Sequence, residues 1–307
     1  MELFQIGLNG PKVPAVGVGT WAWGDSLFWG YERTYGREDT RAAYNASLAH
    51  GLTFFDTAEV YGGGRSELLL GQFIAESKSE VVVASKFMPF PWRLSAGSLK
   101  KALIDSLNRL EIPQIHLYQI HWPFPPVNIE TWMNALADAA EAGLIRQIGV
   151  SNYSRQQTER AFRTLERRGL HLASNQIKCS LLARGPERDG LLQLCKELGV
   201  TVIAYSPLAQ GLLTGKYSPQ NPPPMQRRVS GRTLRRIQPL LDEMGQIGIQ
   251  HGNKTSAQVA INWCIAKGTL PIPGAKNQRQ AKENAGALGW SLSEEQVARL
   301  DEVSGSL

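Results

Sequence analysis

Short β-rich runs alternate with longer helical patterns along this 307-residue chain, and this alternation constrains its fold more than any other feature. The helical patterns lie at residues 41–50, 98–110, 129–142, 156–168 and 191–198. The β-rich runs lie at residues 16–20, 53–56, 81–86, 116–121, 145–151, 173–177, 201–206 and 269–273. Strands that alternate with helices form a parallel sheet. Eight such units in about 270 residues favour an α/β fold of the closed (β/α)8, or TIM barrel, type over an open doubly wound sheet.

Two segments outside this rhythm complete the predicted fold. Asn9-Gly10 separates the apolar residues 4–6 from Val13, which predicts an N-terminal β-hairpin that plugs one barrel end. Residues 207 to 232 follow the seventh predicted strand and show no steady periodicity, so we expect a long loop that covers a ligand at the catalytic mouth. The glycines at 62–64 lack the Gly-x-Gly-x-x-Gly spacing of a Rossmann domain. We therefore predict a single barrel domain over residues 1–307.

Composition and charge exclude several classes of function. No apolar run approaches the ~18 residues that span a bilayer, and no hydrophobic signal core begins the chain, so we expect no membrane partner. Three widely spaced cysteines argue for reduced thiols in the cytoplasm. The net charge is +6, but no aromatic residues are interleaved with the basic ones as on a nucleic-acid-binding surface. The five histidines do not have the spacing of metal ligands, which argues against a metal site. The basic residues concentrate locally at Arg227, Arg228, Arg232, Arg235 and Arg236.

Four polar residues lie at or just past the ends of three consecutive predicted strands: Asp56, Tyr61, Lys86 and His121. Burying a charge is costly unless it is paired, and the carboxyl ends of barrel strands carry catalytic groups. A lysine ammonium stabilises a phenolate, an aspartate keeps that lysine charged, and a histidine can donate a hydrogen bond to a carbonyl. The four residues together can protonate an oxygen as it becomes an alkoxide. Since no side chain supplies hydride, carbonyl reduction here requires a nicotinamide cofactor.

Two other interpretations of the same residues remain open. Asp56 and Lys86 by themselves would form a salt bridge at the barrel rim with no catalytic role, because many ion pairs are structural. Lys86 also has the chemistry of a Schiff-base nucleophile in a lyase, which would keep the same barrel. Borohydride trapping of a substrate on Lys86 would identify the lyase.

The motifs around these residues resemble those of the aldo-keto reductases, along essentially the whole chain. They are Asp56-Thr-Ala-Glu-Val-Tyr61, Ser85-Lys86, Gln119-Ile-His121-Trp-Pro, Gly149-Val-Ser151-Asn152, Asn175-Gln176, Tyr205-Ser206-Pro207-Leu208, and Ile272-Pro273-Gly274-Ala-Lys276 with Glu283-Asn284. Within that family, a second set resembles the plant and cyanobacterial pyridoxal reductase-like branch. This set is Gly19-Thr-Trp-Ala-Trp-Gly24, Trp29-Gly-Tyr31, Pro91-Trp-Arg93 and Ile261-Asn-Trp-Cys-Ile265.

The resemblance implies an NADPH-dependent reductase of a small carbonyl compound. Tyr61 would donate the proton, Lys86 and Asp56 would lower its pKa, and His121 would orient the carbonyl. NADPH would extend across the barrel mouth, with its carboxamide bound by Ser151, Asn152 and Gln176 and its nicotinamide ring stacked on Tyr205. Its pyrophosphate would contact segment 206–216 and Lys216. Its 2′-phosphate would face Lys276 and Gln280, and its adenine would lie near Glu283 and Asn284. The expected cofactor-binding residues are Gly19, Thr20, Trp21, Asp56, Ser151, Asn152, Gln176, Tyr205, Ser206, Pro207, Leu208, Ala209, Gly211, Leu212, Lys216, Gly274, Lys276, Gln280, Glu283 and Asn284.

The phosphate end departs from the better-known branch of that family. Gly274 and Ala275 replace its Lys-Ser pair, and Gln280 replaces its arginine, so Arg227 or Arg228 are further candidates for a phosphate contact. The expected substrate pocket is aromatic, with pyridoxal as a candidate substrate; the candidate pocket residues are Trp21, Trp23, Trp92 and Trp122. A redox-sensing subunit that holds NADPH without turnover is the alternative, because such proteins keep the same four polar residues.

Overall fold

The structure, a computed structural model, describes residues 3–225 and 229–305. In these residues an antiparallel hairpin, β1 (Leu3–Gln5) and β2 (Lys12–Pro14), precedes an eight-stranded parallel sheet. The sheet consists of β3 (Val18–Gly19), β4 (Phe54–Asp56), β5 (Val82–Phe87), β6 (Ile115–Ile120), β7 (Ile145–Ser151), β8 (Leu172–Lys178), β9 (Thr201–Tyr205) and β10 (Leu270–Pro271). Each strand pairs with the next one along the chain, which confirms the predicted order.

Helices connect the strands, and the five predicted from periodicity begin within four residues of their predicted starts. Ser154 and Thr255 each accept a hydrogen bond from the backbone three residues on, while a glutamine returns one, so both capping boxes form. The helices are α1 (Arg37–Ala49), α2 (Arg65–Ser77), α3 (Ala96–Leu110), α4 (Ile129–Glu141), α5 (Arg155–Glu166), α6 (Gly185–Arg188), α7 (Leu191–Glu197), α8 (Gly231–Arg236), α9 (Gln238–Gln250), α10 (Ser256–Ala266), α11 (Gln278–Ala285) and α12 (Glu294–Gly305). Within the described ranges, every helix is too short or too polar to cross a membrane.

Backbone hydrogen bonds between the first and last strands close the sheet. Gly17 N donates to Pro271 O at 2.9 Å, and Gly19 N donates to Pro273 O at 3.1 Å. Both edge strands are shorter than predicted, because Pro271 and Pro273 have no N–H to return a bond across this seam. The (β/α)8 barrel prediction is confirmed.

The N-terminal hairpin covers the amino ends of the barrel strands, as predicted. Ile6 and Val13 are fully buried and pack against a cluster that includes Phe54. The Thr201 hydroxyl, at the first residue of β9, accepts a bond from Gly7 N at 2.8 Å and donates one back to the hairpin. Because this end is plugged, the opposite end of the barrel is left to form a site.

A long loop leaves β9 at that open end, also as predicted. Its described part contains a 3-10 turn, Ala209–Thr214, and it ends at α8, which begins at Gly231. Ser230 caps α8 by accepting a bond from Thr233 N at 3.0 Å, so the helix starts one residue before the predicted end of the loop.

Candidate active site

Lys86 lies at the centre of the four residues that the strand ends bring together. Asp56 is the last residue of β4, Lys86 lies within β5, and His121 follows β6 directly. The Lys86 ammonium donates to Asp56 Oδ2 at 2.7 Å, to Thr57 O at 2.8 Å and to Tyr61 Oη at 3.1 Å. An ammonium has three N–H groups, so these bonds saturate it.

The Asp56 carboxylate is buried and its second oxygen is also occupied. Oδ1 accepts a bond from Gln176 Nε2 at 2.6 Å and a longer one from Gln119 Nε2 at 3.4 Å. Gln119 lies opposite Lys86 in the β5–β6 register, and Ser174 donates to its other amide atom at 3.4 Å. The charge pair is therefore held inside a hydrogen-bonded network, which is the condition for burying ionised groups at tolerable cost.

The electrostatics of the site favour a charged Lys86 and a protonated Tyr61. The pKa of Lys86 is raised, because the nearby Asp56 carboxylate and Tyr61 outweigh the opposing effect of burial. The pKa of Tyr61 is also raised, chiefly by burial; Lys86 opposes the rise, whereas Asp56 adds to it. We expected both Lys86 and Asp56 to lower the pKa of Tyr61. Only Lys86 lowers it, and burial outweighs the effect of Lys86. Tyr61 carries its proton at neutral pH.

His121 is a neutral imidazole beside the tyrosine. Burial and the Lys86 cation hold the pKa of His121 well below its usual range. Its ring centroid lies 5.7 Å from that of Tyr61. Nδ1 is buried with no hydrogen-bond partner among the described residues. Because a buried N–H without an acceptor costs about 1–3 kcal/mol, we assign the ring proton to Nε2.

The turn after Tyr61 depends on glycine. Tyr61 opens a 3-10 turn in which Gly62, Gly63 and Gly64 have φ of 59°, 67° and 92°. A Cβ at Gly62 would lie 2.5 Å from the backbone oxygen of Gly24, whereas one at Gly63 would meet nothing within 4 Å. The chain therefore passes close to the loop after β3 on its way from Tyr61 into α2.

A cavity of about 720 Å³ opens in front of these residues. Tyr61 and His121 lie at one end, and the wall continues along the carboxyl ends of the strands to α11. The sequence-predicted residues on this wall are Gly19, Trp21, Asp56, Tyr61, His121, Ser151, Asn152, Gln176, Tyr205, Ser206, Leu208, Gly211, Lys216, Gly274, Lys276, Gln280, Glu283 and Asn284. Its size is within the usual range for a cofactor or small-molecule pocket.

Some predicted residues lie outside the wall. Thr20 is fully buried, and its hydroxyl donates to Asp56 O at 2.9 Å, so it supports the strand end from behind. Lys86 is likewise buried and reaches the cavity through Tyr61. Pro207, Ala209 and Leu212 are absent from the wall, although their segment flanks it. Arg227 and Arg228 lie outside the described residues.

The aromatic predictions divide in the same way. Trp21 and Trp122 line the cavity. Trp23 is fully buried, and its indole donates to Ala275 O at 2.8 Å, so it belongs to the core. Trp92 is 73% exposed and stacks on Phe90 away from the wall.

Sequence reasoning also missed several wall residues. They include Ala22, Trp29, Val60, Lys178, Ala257, Ile272 and Arg279, whereas Gln210 and Thr214 belong to the predicted segment 206–216. Lys178 could have been found from strand parity, because it lies two residues beyond Gln176 and so on the same face of β8. Arg279 could not, because its place on the wall follows from how α11 packs.

Polar groups near Tyr61 form a hydrogen-bonded set. Asn152 has a left-handed φ of 61°, and its side chain donates to His121 O and to Ser151 Oγ, both at 3.0 Å. Tyr205 Oη donates to Asn152 Oδ1 at 2.9 Å, and Ser151 Oγ donates to Gln176 O at 2.9 Å. Left-handed non-glycine residues are strained and cluster at ligand sites.

The middle of the wall offers main-chain groups for an anion. Ser206, Ala209 and Gln210 all have positive φ, and Gly211 follows with φ of 94°. Backbone N–H groups in a turn can form an anion-binding concavity. In this turn Ala209 N and Gly211 N already donate to Ser206 O at 2.9 Å and to Leu208 O at 2.8 Å. Lys216 lies beside this segment, close enough that a Cβ on Gly211 would be 3.4 Å from its ammonium.

The far end of the cavity carries further cations. The Lys276 ammonium donates to Trp29 O at 3.0 Å and lies 4.7 Å and 4.4 Å from the ring centres of Trp29 and Tyr35. Arg279 pairs with Glu283 at 3.1 Å. A wall with amide and hydroxyl groups near Tyr61, a turn of main-chain groups at 206–211 and cations near α11 has the donor and acceptor types that a nicotinamide dinucleotide phosphate requires.

Comparison with known proteins agrees with this geometry. The model of the aldo/keto reductase family matches residues 15–304. A chloroplastic pyridoxal reductase from Arabidopsis thaliana is 43% identical over 304 residues, which cover 94% of this chain and 83% of the relative.

Two solved structures share the fold. A thermostable aldo-keto reductase bound to epalrestat aligns with a TM-score of 0.80 and 32% identity, covering 99% of this chain and 100% of that one. An aldo/keto reductase from Klebsiella pneumoniae, solved with NADP and acetate, aligns with a TM-score of 0.77 and 30% identity, covering 98% and 96%. The chain therefore belongs to the aldo/keto reductase family and is an NADP-dependent oxidoreductase.

Proposed function

We propose that the protein reduces small aldehydes or ketones to alcohols with NADPH, and that Tyr61 supplies the proton. The observation that carries this proposal is the 3.1 Å hydrogen bond from the Lys86 ammonium to Tyr61 Oη, at the edge of a cavity shared with His121. It places a protonated phenol next to a fixed cation and a neutral hydrogen-bond donor. A general acid in that setting contributes roughly 10²–10⁴-fold to a rate.

Each residue then has one role in the reaction. NADPH, when bound, supplies the hydride to the carbonyl carbon. His121 Nε2–H donates a hydrogen bond to the carbonyl oxygen and orients it. Tyr61 passes its proton to that oxygen as negative charge develops, and Lys86 stabilises the phenolate that remains. Tyr61 regains a proton from solvent, so each turnover consumes one NADPH, one carbonyl and one proton.

The cofactor roles predicted for the wall residues are part of the same proposal. We assign the carboxamide to Ser151, Asn152 and Gln176, and the ring stacking to Tyr205. The pyrophosphate is assigned to segment 206–216, and the 2′-phosphate to Lys276. The adenine is assigned to Glu283 and Asn284. All the residues named here contribute to the wall of one cavity, which supports this arrangement.

Pyridoxal is the substrate that we put forward first. The relative from Arabidopsis is named a pyridoxal reductase. The cavity also offers aromatic surfaces to a planar pyridine ring: Trp21 stacks on Phe28 at 5.1 Å and lies 6.3 Å from Tyr61, and Trp122 lines the same space. We further propose that the protein is a single domain, since one eight-stranded sheet runs through the described residues. We also propose that it works in the cytoplasm, since its three cysteines are free and buried.

The Schiff-base alternative is not favoured by the geometry of Lys86. A nucleophilic lysine needs a neutral amine and access to substrate. Lys86 is fully buried, all three N–H groups are hydrogen-bonded, and its pKa is raised rather than lowered.

The test is to follow the loss of reduced nicotinamide absorbance with pyridoxal and a panel of aldehydes and ketones. Tyr61→Phe should lower kcat by roughly 10²–10⁴-fold and leave NADPH affinity within about twofold. Tyr44→Phe is the matched control, because Tyr44 is a buried tyrosine whose hydroxyl bonds Ser77 away from the cavity. NADPH binding without turnover on any carbonyl would favour the redox-sensing subunit instead.

A further inference from the structure

We infer that Glu59 and Arg93 are positioning residues for the Tyr61 proton donor, an inference that rests on the function proposed above. The two side chains form an ion pair that is largely buried, with 7% of Glu59 and 23% of Arg93 exposed. Arg93 Nη1 donates to Glu59 Oε1 at 2.5 Å, and Nη2 donates to Oε2 at 3.1 Å. Two parallel bonds fix the relative orientation of a guanidinium and a carboxylate, which a single bond does not.

The pair joins the segment that carries Tyr61 to the loop that follows β5. Glu59 lies two residues before Tyr61, and its Oε1 also accepts a bond from Met88 N at 2.6 Å. Arg93 Nη1 donates to Met88 O at 2.9 Å. Met88 thus bonds both members of the pair through its main chain, so neither segment can shift without breaking charge-assisted hydrogen bonds.

The main chain at the end of β5 also bonds the segments that carry the other catalytic residues. Glu59 N donates to Lys86 O at 3.4 Å, and His121 N donates to Phe87 O at 2.8 Å. The Arg93 guanidinium carbon lies 4.9 Å from the centre of the buried Phe87 ring. The ion pair therefore lies where the chain segments that carry the proton donor, the lysine and the histidine meet.

Tyr61 needs such an anchor, because the chain on its other side is intrinsically loose. Gly62, Gly63 and Gly64 follow it directly, and glycine has the largest backbone freedom of any residue. On the preceding side, Tyr61 N bonds Ala58 O at 3.0 Å in a local turn. The bonds of the Glu59 side chain add to those from Glu59 N to Lys86 O and from the Lys86 ammonium to Tyr61 Oη, which also connect that turn to the rest of the site.

The Tyr61 hydroxyl has to remain at hydrogen-bond distance from Lys86 and from the carbonyl oxygen. A misplacement of about 1 Å can cost 10²-fold in rate even when it begins away from the chemistry. Loss of the ion pair should therefore reduce the rate of the chemical step, while the cofactor wall, built from β7 to α11, stays in place.

The test uses Arg93→Met, Arg93→Lys and Glu59→Gln in the full chain. Arg168→Met is the matched control: Arg168 is 25% exposed, pairs with Asp138 and Glu141 at 2.7 Å each, and follows the end of α5 outside the cavity. Each variant is assayed for the single-turnover rate with pyridoxal, for NADPH affinity, and for thermal unfolding.

A second readout requires neither cofactor nor turnover. In protein labelled with [ζ-¹³C]tyrosine, the Tyr61 resonance is the one that Tyr61→Phe removes. Its titration reports the contact with Lys86, and a role confined to stability would not move it. If the wild-type enzyme turned over no carbonyl, the proposed function would fail, while this titration would still test the positioning role.

We expect Arg93→Met to lower the single-turnover rate by roughly 10- to 100-fold with NADPH affinity within about twofold, and to raise the pKa of Tyr61. Arg93→Lys should recover part of both effects, because it keeps the charge without the fork. The effects of Glu59→Gln on the rate and on the Tyr61 pKa should lie between those of Arg93→Met and Arg93→Lys, and Arg168→Met should change neither quantity. An Arg93→Met enzyme with a wild-type rate and an unchanged Tyr61 titration would overturn the inference. So would losses of rate and NADPH affinity in equal proportion.

Discussion

Replacing Lys86 by methionine removes the cation next to the proton donor and keeps nearly the same side-chain volume. The ammonium lies 3.1 Å from Tyr61 Oη. With an effective dielectric constant of about 20, a charge pair at that distance interacts by about 5 kcal/mol. A transition state in which half the proton has moved loses about half of this energy, which corresponds to roughly a 100-fold lower rate.

The same change leaves a buried charge behind, which has to be separated from the catalytic effect. Without Lys86, the Asp56 carboxylate keeps only its amide partners, and breaking a buried pair costs about 3–5 kcal/mol of stability. The double variant Asp56→Asn, Lys86→Met removes both charges and should recover much of that stability. It should not recover the rate, because the phenolate still has no cation.

The assay is a single-turnover stopped-flow measurement with NADPH bound beforehand, so that product release does not limit the rate. Lys267→Met serves as the control, since the Lys267 side chain is only 18% exposed and pairs with Asp301 at 2.9 Å away from the cavity. The reasoning is refuted if Lys86→Met reacts within about threefold of the wild type, or if the double variant regains a wild-type rate.

Three further predictions concern other parts of the site. Lys276→Met should weaken NADPH binding by roughly 10- to 100-fold and leave NADH binding unchanged in fluorescence titrations. Lys282 is exposed, and Lys282→Met should change the affinity for neither cofactor. The pKa of His121 in the folded state lies below its unfolded value, so unfolding takes up a proton at acid pH. The free energy of unfolding should therefore fall as pH drops below about 6.5. In chemical denaturation, His121→Asn should make this dependence on pH less steep. Gly62→Ala should cost more stability than Gly63→Ala in thermal melts, since both need positive φ but only the first meets a backbone oxygen at 2.5 Å; equal losses would contradict the steric argument.

The sequence is sufficient to predict the barrel and the meeting of the four polar residues. Their positions at successive strand ends determine it, because parallel strands place their carboxyl ends at one edge. The electrostatics are harder to predict. The raised pKa of Tyr61 results from burial, which depends on segments distant along the chain. Contacts such as that of Lys276 with Trp29, 247 residues apart, likewise arise only from the closed fold.

The seam that closes the barrel has a consequence for local opening. Across it, Gly17 and Gly19 donate hydrogen bonds to prolines that cannot donate in return. Neighbouring strand pairs such as β6 and β7 bond over five residue positions, so they need a larger opening to expose their amides. Protected amides exchange through the least costly opening that frees them. The Gly17 and Gly19 amides should therefore exchange with deuterium before those of β6. Since Gly19 and Gly274 bridge this seam and line the cavity, a bound dinucleotide that touches both would slow that exchange first.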